Sequence, residues 1–309
     1  MSKFIVTTTI FKPSEALNKF SRIKNWSLIV VGDKKTPHNL YKNNKNIIYL
    51  SPSDQKKIDP KLSELIGWNC IQRRNFGYIL AYKLGAKLIA TVDDDNIPYK
   101  FWGDKIFVNK KVSINLYFTD QICFDPLSIF KNNQNLWHRG FPLELINKRN
   151  YECKKRIFFR PDVQANLWNM CPDIDAINRF SVKKENYKFN LKGCFSSNKF
   201  MPFNSQNTFL SRNVIKDYFL FPFIGRMDDI WASYYLQGVG AKVIFSGPTV
   251  YQKRNVHNTF VDFKKELIGY LNNYKLLENI KKNPNNIKKF LPKRSYEAFL
   301  QYKSVFKNK

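Results

Sequence analysis

Short apolar runs alternate with segments of helical periodicity over roughly the first ninety residues. Four β-branched or apolar runs predict buried strands over 4–10, 26–31, 47–50 and 88–92. A helix that begins near Pro13 carries Leu17, Phe20 and Ile23 on one face, and a second helix is predicted over about 67–84. Strand–helix–strand alternation with short links predicts a parallel sheet with right-handed crossovers.

The rest of the chain shows a weaker pattern. The predicted elements are strands over 112–118 and 241–245 and helices over about 228–237, 262–282 and 284–307. Residues 130–205 are rich in Asn, Pro and aromatic side chains and predict mostly loops and short elements, while Pro284 separates the last two helices. With no internal repeat and no long low-complexity linker, a single α/β domain is expected.

Polar residues stand at the ends of the first two predicted strands. Thr8 lies near the end of the first, and the segment 32–37 (Gly-Asp-Lys-Lys-Thr-Pro) follows the second. Ligands of open parallel sheets bind outside the carboxyl ends of the strands. Asp33 therefore suits contact with a base or ribose and Lys34 contact with a phosphate, although a polar turn accounts for the same segment equally well.

Three consecutive carboxylates, Asp93-Asp94-Asp95, directly follow the strand over 88–92. They would repel one another and lose hydration unless a cation lies between them. Hard oxygen ligands suit Mn²⁺ or Mg²⁺, and a divalent ion with open positions suits a diphosphate. An acidic turn that caps a helix is the alternative, but the flanking sequence favours a metal and nucleotide-sugar site.

Further charged residues allow two interpretations each. Arg73 and Arg74 can bind a pyrophosphate through their guanidinium groups if their helix starts at the carboxyl edge of the sheet. A solvated basic helix face explains them as well, and without other information it is the favoured interpretation.

Two acidic pairs occur in the second half, Asp173 with Asp175 and Asp228 with Asp229. A general base for an acceptor hydroxyl, or an anchor for sugar hydroxyls, is the catalytic interpretation of these carboxylates. Carboxylates in a first helical turn also favour the helix dipole, and spacing alone favours that structural role for Asp228 and Asp229. His257 is isolated in the sequence, as surface histidines are.

Amino-acid composition limits which partners and which cellular compartment are expected. Lys and Arg number 52 against 24 Asp and Glu, which gives a net charge of +28. This charge has three possible explanations: compositional drift toward Lys and Asn, an anionic or membrane-bound acceptor, or nucleic acid. Because no nucleic-acid-binding module is recognisable, we expect no nucleic-acid partner. Five unpatterned cysteines, no apolar run near ~18 residues and no secretory leader predict a cytoplasmic protein, peripheral at the inner membrane face.

The ordered segments resemble those of the STELLO-like glycosyltransferases and, more distantly, of the reversibly glycosylated polypeptides, which include the UDP-arabinopyranose mutases. The segments that carry the resemblance are 30–37, 73–78, 85–86, 93–96, 139–143, 172–175, 202–208, 225–231, 247–250 and 263–267. The resemblance implies a GT-A fold, with a Rossmann-like, mostly parallel sheet flanked by helices and a helical C-terminal extension. It divides the single domain, 1–309, into a nucleotide-sugar half (about 1–130), an acceptor and catalytic half (about 131–260) and a helical tail (about 262–309).

The resemblance also implies roles for the charged residues. Asp93-Asp94-Asp95 become a DXD-like element, with Asp95 as the direct metal ligand and Asp93 beside it. The roles implied for the others are contact with the nucleoside (Asp33), with the diphosphate (Arg73 or Arg74), and with the sugar or acceptor (Asp228 and Asp229). The relatives carry a histidine where Tyr251 stands here, which makes His257 the candidate for a second metal contact.

The prediction is a metal-dependent glycosyltransferase that uses Mn²⁺ or Mg²⁺. Its donor would be a nucleotide-diphosphate sugar, by default a UDP-sugar, and its acceptor a hydroxyl of a surface-glycan or lipid-linked molecule. A nucleotide-sugar mutase is the alternative, but the mutases carry an arginine at the position aligned with Ile146. A non-catalytic scaffold with the same fold is the second alternative.

Overall fold

The computed structural model describes residues 2–130, 135–182, 186–253 and 258–307. These residues form a mixed sheet of eleven strands with helices on its faces. The strands are β1 (Lys3–Thr9), β2 (Ser27–Gly32), β3 (Ile47–Leu50), β4 (Leu88–Val92), β5 (Asn96–Pro98), β6 (Val112–Phe118), β7 (Cys153–Phe159), β8 (Val163–Met170), β9 (Cys194–Ser197), β10 (Asn207–Ser211) and β11 (Val243–Gln252). The helices are α1 (Glu15–Phe20), α2 (Asn39–Lys42), α3 (Pro52–Ile58), α4 (Pro60–Ile66), α5 (Arg74–Lys83), α6 (Ala176–Ser181), α7 (Asp228–Gly238), α8 (Thr259–Lys282) and α9 (Lys293–Ser304).

The strand order is β3-β2-β1-β4-β10-β8-β11-β9-β6-β7, and β5 pairs with β11 off this path. Strand β1 pairs in parallel with β2 and β4, and β2 pairs in parallel with β3. Strand β10 runs antiparallel to both β4 and β8, which makes the sheet mixed. The predicted α/β class is confirmed, and the four parallel strands bring the carboxyl ends of β1, β2 and β4 to one edge.

Two apolar cores lie on opposite faces of the sheet. Ile5 belongs to the core that contains α1, whereas its neighbour Val6 belongs to the larger core that contains α5, α7 and α9. Successive strand residues point to opposite faces, so one strand supplies both cores. Gly77 lets α5 lie directly on β1, because a Cβ at this position would lie 2.4 Å from Cγ1 of Val6.

The helix predicted over 67–84 is shorter than expected at its start. Helix α4 ends at Ile66, and its C-cap residue Gly67 has a φ of +79°, which residues with a side chain rarely adopt. A 3₁₀ turn over Ile71–Arg73 follows, and α5 begins at Arg74. The break predicted at Pro284 is confirmed, but a 3₁₀ turn precedes the final helix, which begins at Lys293. None of the helices in the described ranges is long and apolar enough to cross a membrane.

The prediction of mostly loops and short elements over 130–205 named no strand in this region. Three strands, β7, β8 and β9, lie in this region, and β8 is central, between β10 and β11. Strand β8 carries buried Gln164 and Asn166, whose side chains hydrogen-bond to each other at 2.9 Å. These polar residues interrupt the apolar run by which a buried strand is recognised, because their partners come from the folded sheet.

Candidate functional site

The acidic segment Asp93-Asp94-Asp95 lies directly after β4 and is tied to three neighbouring elements. The hydroxyl of Thr9, at the end of β1, donates to the Asp94 carboxylate, and the hydroxyl of Ser14 donates to the Asp94 carbonyl. The Asp95 carboxylate accepts a hydrogen bond from Nε2 of Gln252, at the end of β11, at 3.1 Å. The three carboxylates are therefore held at the edge of the sheet.

Arg74, the first residue of α5, is buried behind this segment. Its Nη2 donates to Oδ1 of Asp93 at 2.7 Å, and its Nη1 donates to the carbonyl and the hydroxyl of Ser205 at 3.0 Å each. Burial acts to lower the pKa of Arg74, but the Asp93 carboxylate outweighs burial and raises that pKa above its usual range. The guanidinium is therefore a permanent cation that orients Asp93 from inside the protein.

One arginine does not neutralise the acidic segment. Burial raises the pKa of Asp93; Arg74 opposes this effect, while the charges of Asp229 and Asp173 add to it. Burial also raises the pKa of Asp94, against the hydrogen bond from Thr9. The raised pKa values mean that the ionised carboxylates lack stabilisation, which a bound cation would supply.

A second buried cluster is centred on Arg139. Its Nε donates to Oδ1 of Asp173 at 2.8 Å, and its Nη1 and Nη2 each donate to Oδ1 of Asp229 at 3.0 Å. Asn204 donates to the other oxygen of Asp173 at 2.7 Å, and the backbone N–H of Ser205 donates to Asp229 at 3.0 Å. Because Ser205 also accepts from Arg74, the two clusters form one polar network.

Asp228 and Asp175 lie outside these ion pairs. Asp228 accepts a hydrogen bond from Nε2 of Gln72 at 2.8 Å, and burial together with Asp229 raises the pKa of Asp228 to about 7. Asp175 caps α6: its oxygens accept from the backbone N–H of Asn178 and from the indole of Trp137. Burial raises the pKa of Asp175 to about 7 as well. Asp175 thus serves helix α6, whereas Asp228 begins α7 beside the Arg139 cluster.

The predicted nucleotide residues have internal partners. The Asp33 carboxylate accepts from the backbone N–H groups of Lys34 and Cys70, at 2.6 and 3.0 Å, which joins the turn after β2 to the segment before α5. The Nζ of Lys34 lies 5.5 Å from the ring of Trp68. The Thr8 hydroxyl donates to the Val31 carbonyl at 2.8 Å.

Arg73 is fully buried, and its side-chain hydrogen bonds go to residues other than the acidic segment. Its guanidinium donates to Gln55, Ser63 and Gly67, all within or at the end of α3 and α4, and stacks on Trp68 at 3.7 Å. Burial lowers the pKa of Arg73 to about 10. The described contacts of Arg73 therefore stabilise the α3–α4 corner, and its predicted diphosphate contact stays a prediction.

The structure thus joins Asp93, Arg74, Asp229 and Asp173 in one network, with Asp228 beside it and Asp95 at its edge. His257 lies outside the described residues. Sequence reasoning did not single out four residues that complete the network: Arg139, Asn204, Ser205 and Gln252. Arg139 and the Asn204-Ser205 pair lie inside segments 139–143 and 202–208, so the resemblance marked the regions without marking the side chains.

A cleft of about 500 Å³ opens beside the acidic segment, within the size range of small-ligand sites. Its lining includes residues 11–16, from the β1–α1 loop and the start of α1, together with Asp94, Asp95, Ile97 and Lys253. Among the residues that the structure describes, no group of three or more His, Cys, Asp or Glu side chains is arranged to hold a metal. Two carboxylates with additional oxygens from a substrate diphosphate are nevertheless a usual Mg²⁺ environment, and the oxygen donors here fit that chemistry.

No protein-family model matches the chain. It is 24% identical over 198 residues to "Probable glycosyltransferase STELLO2" of Arabidopsis thaliana, covering 60% of this chain and 25% of that protein. It is also 24% identical over 225 residues to "Probable glycosyltransferase STELLO1" of the same plant, covering 67% of this chain and 29% of that protein. The chain therefore spans between a quarter and a third of the length of these relatives.

Solved structures with a distant likeness include the glucosyl-3-phosphoglycerate synthase of Mycobacterium tuberculosis with phosphoglyceric acid, at 9% identity and a TM-score of 0.44 over 89% of this chain and 80% of that one. Another is the mannosyltransferase PcManGT of Pyrobaculum calidifontis with GDP-Man and Mn²⁺, at 9% identity and a TM-score of 0.43 over 99% and 74%. The mixed sheet with helices on its faces agrees with the α/β class that the sequence predicts. The sequence comparison confirms the predicted resemblance: over 60–67% of its length, this chain is similar to the two STELLO proteins.

Proposed function

We propose that this chain is a GT-A type glycosyltransferase that transfers a sugar from a nucleotide-diphosphate donor, by default a UDP-sugar, to an acceptor hydroxyl. The observation that carries the proposal is the under-neutralised acidic segment beside the 500 Å³ cleft at the carboxyl edge of the parallel strands. The STELLO-like similarity supports the reaction class.

Mn²⁺ or Mg²⁺ is the proposed cofactor, with Asp93 and Asp95 as its protein ligands. When bound, such an ion neutralises negative charge on a departing diphosphate. Arg74 holds Asp93 from behind, and its burial makes it a positioning residue in this proposal. Lys12 and Lys253 line the cleft and are the cations proposed to face the diphosphate; Lys253 also pairs with Glu15 at 3.4 Å.

Asp228 is the proposed general base for the acceptor hydroxyl. A carboxylate with a pKa near 7 accepts a proton more readily than an ordinary one and is still ionised in part at neutral pH. Its neighbour Asp229 is paired with Arg139, so Asp229 and Asp173 are proposed to position the acceptor side of the site.

The proposed acceptor is a surface-glycan or lipid-linked molecule at an anionic membrane face. Support comes from the outer face of α8 and its neighbour α6, where Phe180, Phe260 and Leu271 are half or more exposed and Lys264 and Lys265 flank them. The rings of Phe180 and Phe260 lie 5.0 Å apart. Exposed aromatic side chains among lysines suit the interface of an anionic bilayer, which the net charge of +28 also favours. The corresponding location is cytoplasmic and peripheral.

A non-catalytic scaffold that binds a nucleotide is the second candidate. It is favoured by the internal arginine partners of Asp93 and Asp229, which occupy carboxylates that a catalyst would present to its substrate. Turnover of a donor separates the two candidates, since only the transferase would hydrolyse or transfer the sugar.

The test is thermal and chemical stability with UDP, GDP, CDP and dTDP, each with and without Mn²⁺. One nucleotide, at about a hundred times its dissociation constant, should raise the free energy of unfolding by about 2.7 kcal/mol, and only when the metal is present. Asp95→Asn should lose this gain, whereas Asp104→Asn, an exposed carboxylate outside the cleft, should keep it. Equal gains in both variants, or none with any nucleotide, would refute the proposed site; a gain without donor turnover would support the scaffold.

A further inference from the structure

A second cavity, of about 370 Å³, lies at the opposite end of the sheet from the acidic segment. Strand β11 links the two regions: Val243, its first residue, lines this cavity, whereas Gln252, its last, contacts Asp95. Nine steps of about 3.3 Å along a strand amount to roughly 30 Å. The cavity is therefore separate from the proposed donor site.

Three lysines, Lys199, Lys242 and Lys281, line this cavity and no carboxylate does. None of the three forms an ion pair within the described part of the chain. The carboxylate next to them along the sheet, that of Asp162, accepts the backbone N–H of Lys242 at 2.9 Å. Three ammonium groups around one concave surface concentrate positive potential there, which an anion would relieve.

Apart from the lysines, about half of the cavity lining is apolar. Its apolar lining residues are Ile122, Phe159, Phe200, Met201, Ala241 and Val243. Two amides, Gln237 and Asn198, also line the cavity and have partners within the protein. The Oε1 of Gln237 accepts from the backbone N–H of Met201, its Nε2 donates to the carbonyls of Met201 and Ser233, and the Oδ1 of Asn198 accepts from the backbone N–H of Thr119. A ligand that fills the cavity must therefore combine an anionic group, for the three lysines, with apolar atoms, for the apolar side chains of the lining.

We propose that this basic pocket binds a phosphate monoester that carries an apolar chain. A phosphate offers several oxygens that can accept from three ammonium groups at once, which a single carboxylate matches less well. The chain would lie against the side chains of Phe200 and Met201. This site goes beyond the proposed transferase function, because no step of that reaction uses it.

Methionine methyl NMR tests the site, since the four methionines of the chain include one in the pocket and one at the far edge. Met201 lines the pocket, while Met170 is paired in register with Gln252 at the acidic end. The probes are dihexanoyl phosphatidic acid, below its micelle concentration, and inorganic phosphate. The expected result is a saturable shift of the Met201 signal with the amphiphile, no shift of Met170, and at least tenfold weaker binding of inorganic phosphate.

A triple variant, Lys199→Gln, Lys242→Gln and Lys281→Gln, should weaken binding of the amphiphile by roughly tenfold or more. The matched control changes three exposed lysines elsewhere, Lys42→Gln, Lys61→Gln and Lys288→Gln, and should bind as wild type does. An equal loss in both variants would show attraction by net charge alone and overturn the pocket. If inorganic phosphate bound as tightly as the amphiphile, the proposal that the ligand carries an apolar chain would be refuted. If the amphiphile caused no shift of the Met201 signal, the proposed site would be refuted. Mn²⁺-dependent nucleotide binding is measured separately, so neither result decides the other.

Discussion

Two acidic clusters lie close together in this protein and differ in how their charges are balanced. In the segment after β4, one buried arginine contacts one oxygen of Asp93, and the pKa values of Asp93 and Asp94 are raised by burial. In the cluster around Arg139, burial acts to raise the pKa of Asp173, but the guanidinium outweighs it and holds that pKa below its usual range. The same residue types therefore leave negative charge incompletely balanced in the segment after β4 and balanced in the Arg139 cluster.

The prediction with the largest expected effect removes the arginine at the centre of the Arg139 cluster. Arg139→Ala leaves Asp173 and Asp229 buried without their ion partner, and we expect a loss of about 3–5 kcal/mol in the free energy of unfolding. Denaturant unfolding measures it. Arg156→Ala, at an exposed arginine on β7, should cost less than about 0.5 kcal/mol. A loss below about 1 kcal/mol for Arg139→Ala would contradict the idea that this cluster is structural.

The second prediction concerns how the free energy of unfolding depends on pH. Because the folded pKa of Asp228 is about 7, above the unfolded value near 3.9, the folded protein binds the extra proton between these values. Stability from this group is therefore fully present below about pH 4 and is lost as the pH rises through 7. Asp228→Asn removes the loss and keeps an acceptor for Gln72.

The free energy of unfolding of Asp228→Asn should thus exceed that of the wild type increasingly from pH 4 to 7.5. The difference should reach at most about 4 kcal/mol at the upper end, since the folded and unfolded pKa values differ by about three units and one unit is about 1.4 kcal/mol. Unfolding of both proteins across this range measures the difference. Asp104→Asn, at an exposed carboxylate, should track the wild type at every pH. A constant offset between Asp228→Asn and the wild type would show that Asp228 does not titrate in this range.

The prediction with the smallest expected effect separates two roles of Ser14, which caps helix α1 and also contacts the acidic segment. Ser14 caps α1 through the backbone N–H of Leu17 and also donates to the Asp94 carbonyl, whereas Ser51 only caps α3. Each change to alanine should cost about 1 kcal/mol of stability. Ser14→Ala alone should also reduce the stabilisation by Mn²⁺ and nucleotide. If Ser51→Ala reduces it equally, the contact to Asp94 has no part in ligand binding.

The fold was predictable where pattern and burial agree. The strands of the parallel half carry uninterrupted apolar runs, such as Leu28 to Val31, and these are buried as expected. Strand β8 was missed because its buried Gln164 is paired by groups that the sequence places far away, among them the carbonyl of Lys105. Helices α3 and α4 were missed because each has only seven residues and little periodicity to detect.

The sequence by itself determined the local features: the acidic triplet after a buried strand, the βα alternation, the excess of lysine and the STELLO-like order of segments. Each depends on neighbours within a few residues, where side-chain chemistry and spacing act directly. The tertiary structure decided the partners. Arg139 meets Asp173 and Asp229 across separations of 34 and 90 residues, and Arg74 meets Ser205 across 131. Charge balance in a buried site depends on these distances in space, so only folding separates the carboxylate whose pKa an arginine lowers from those whose pKa burial raises.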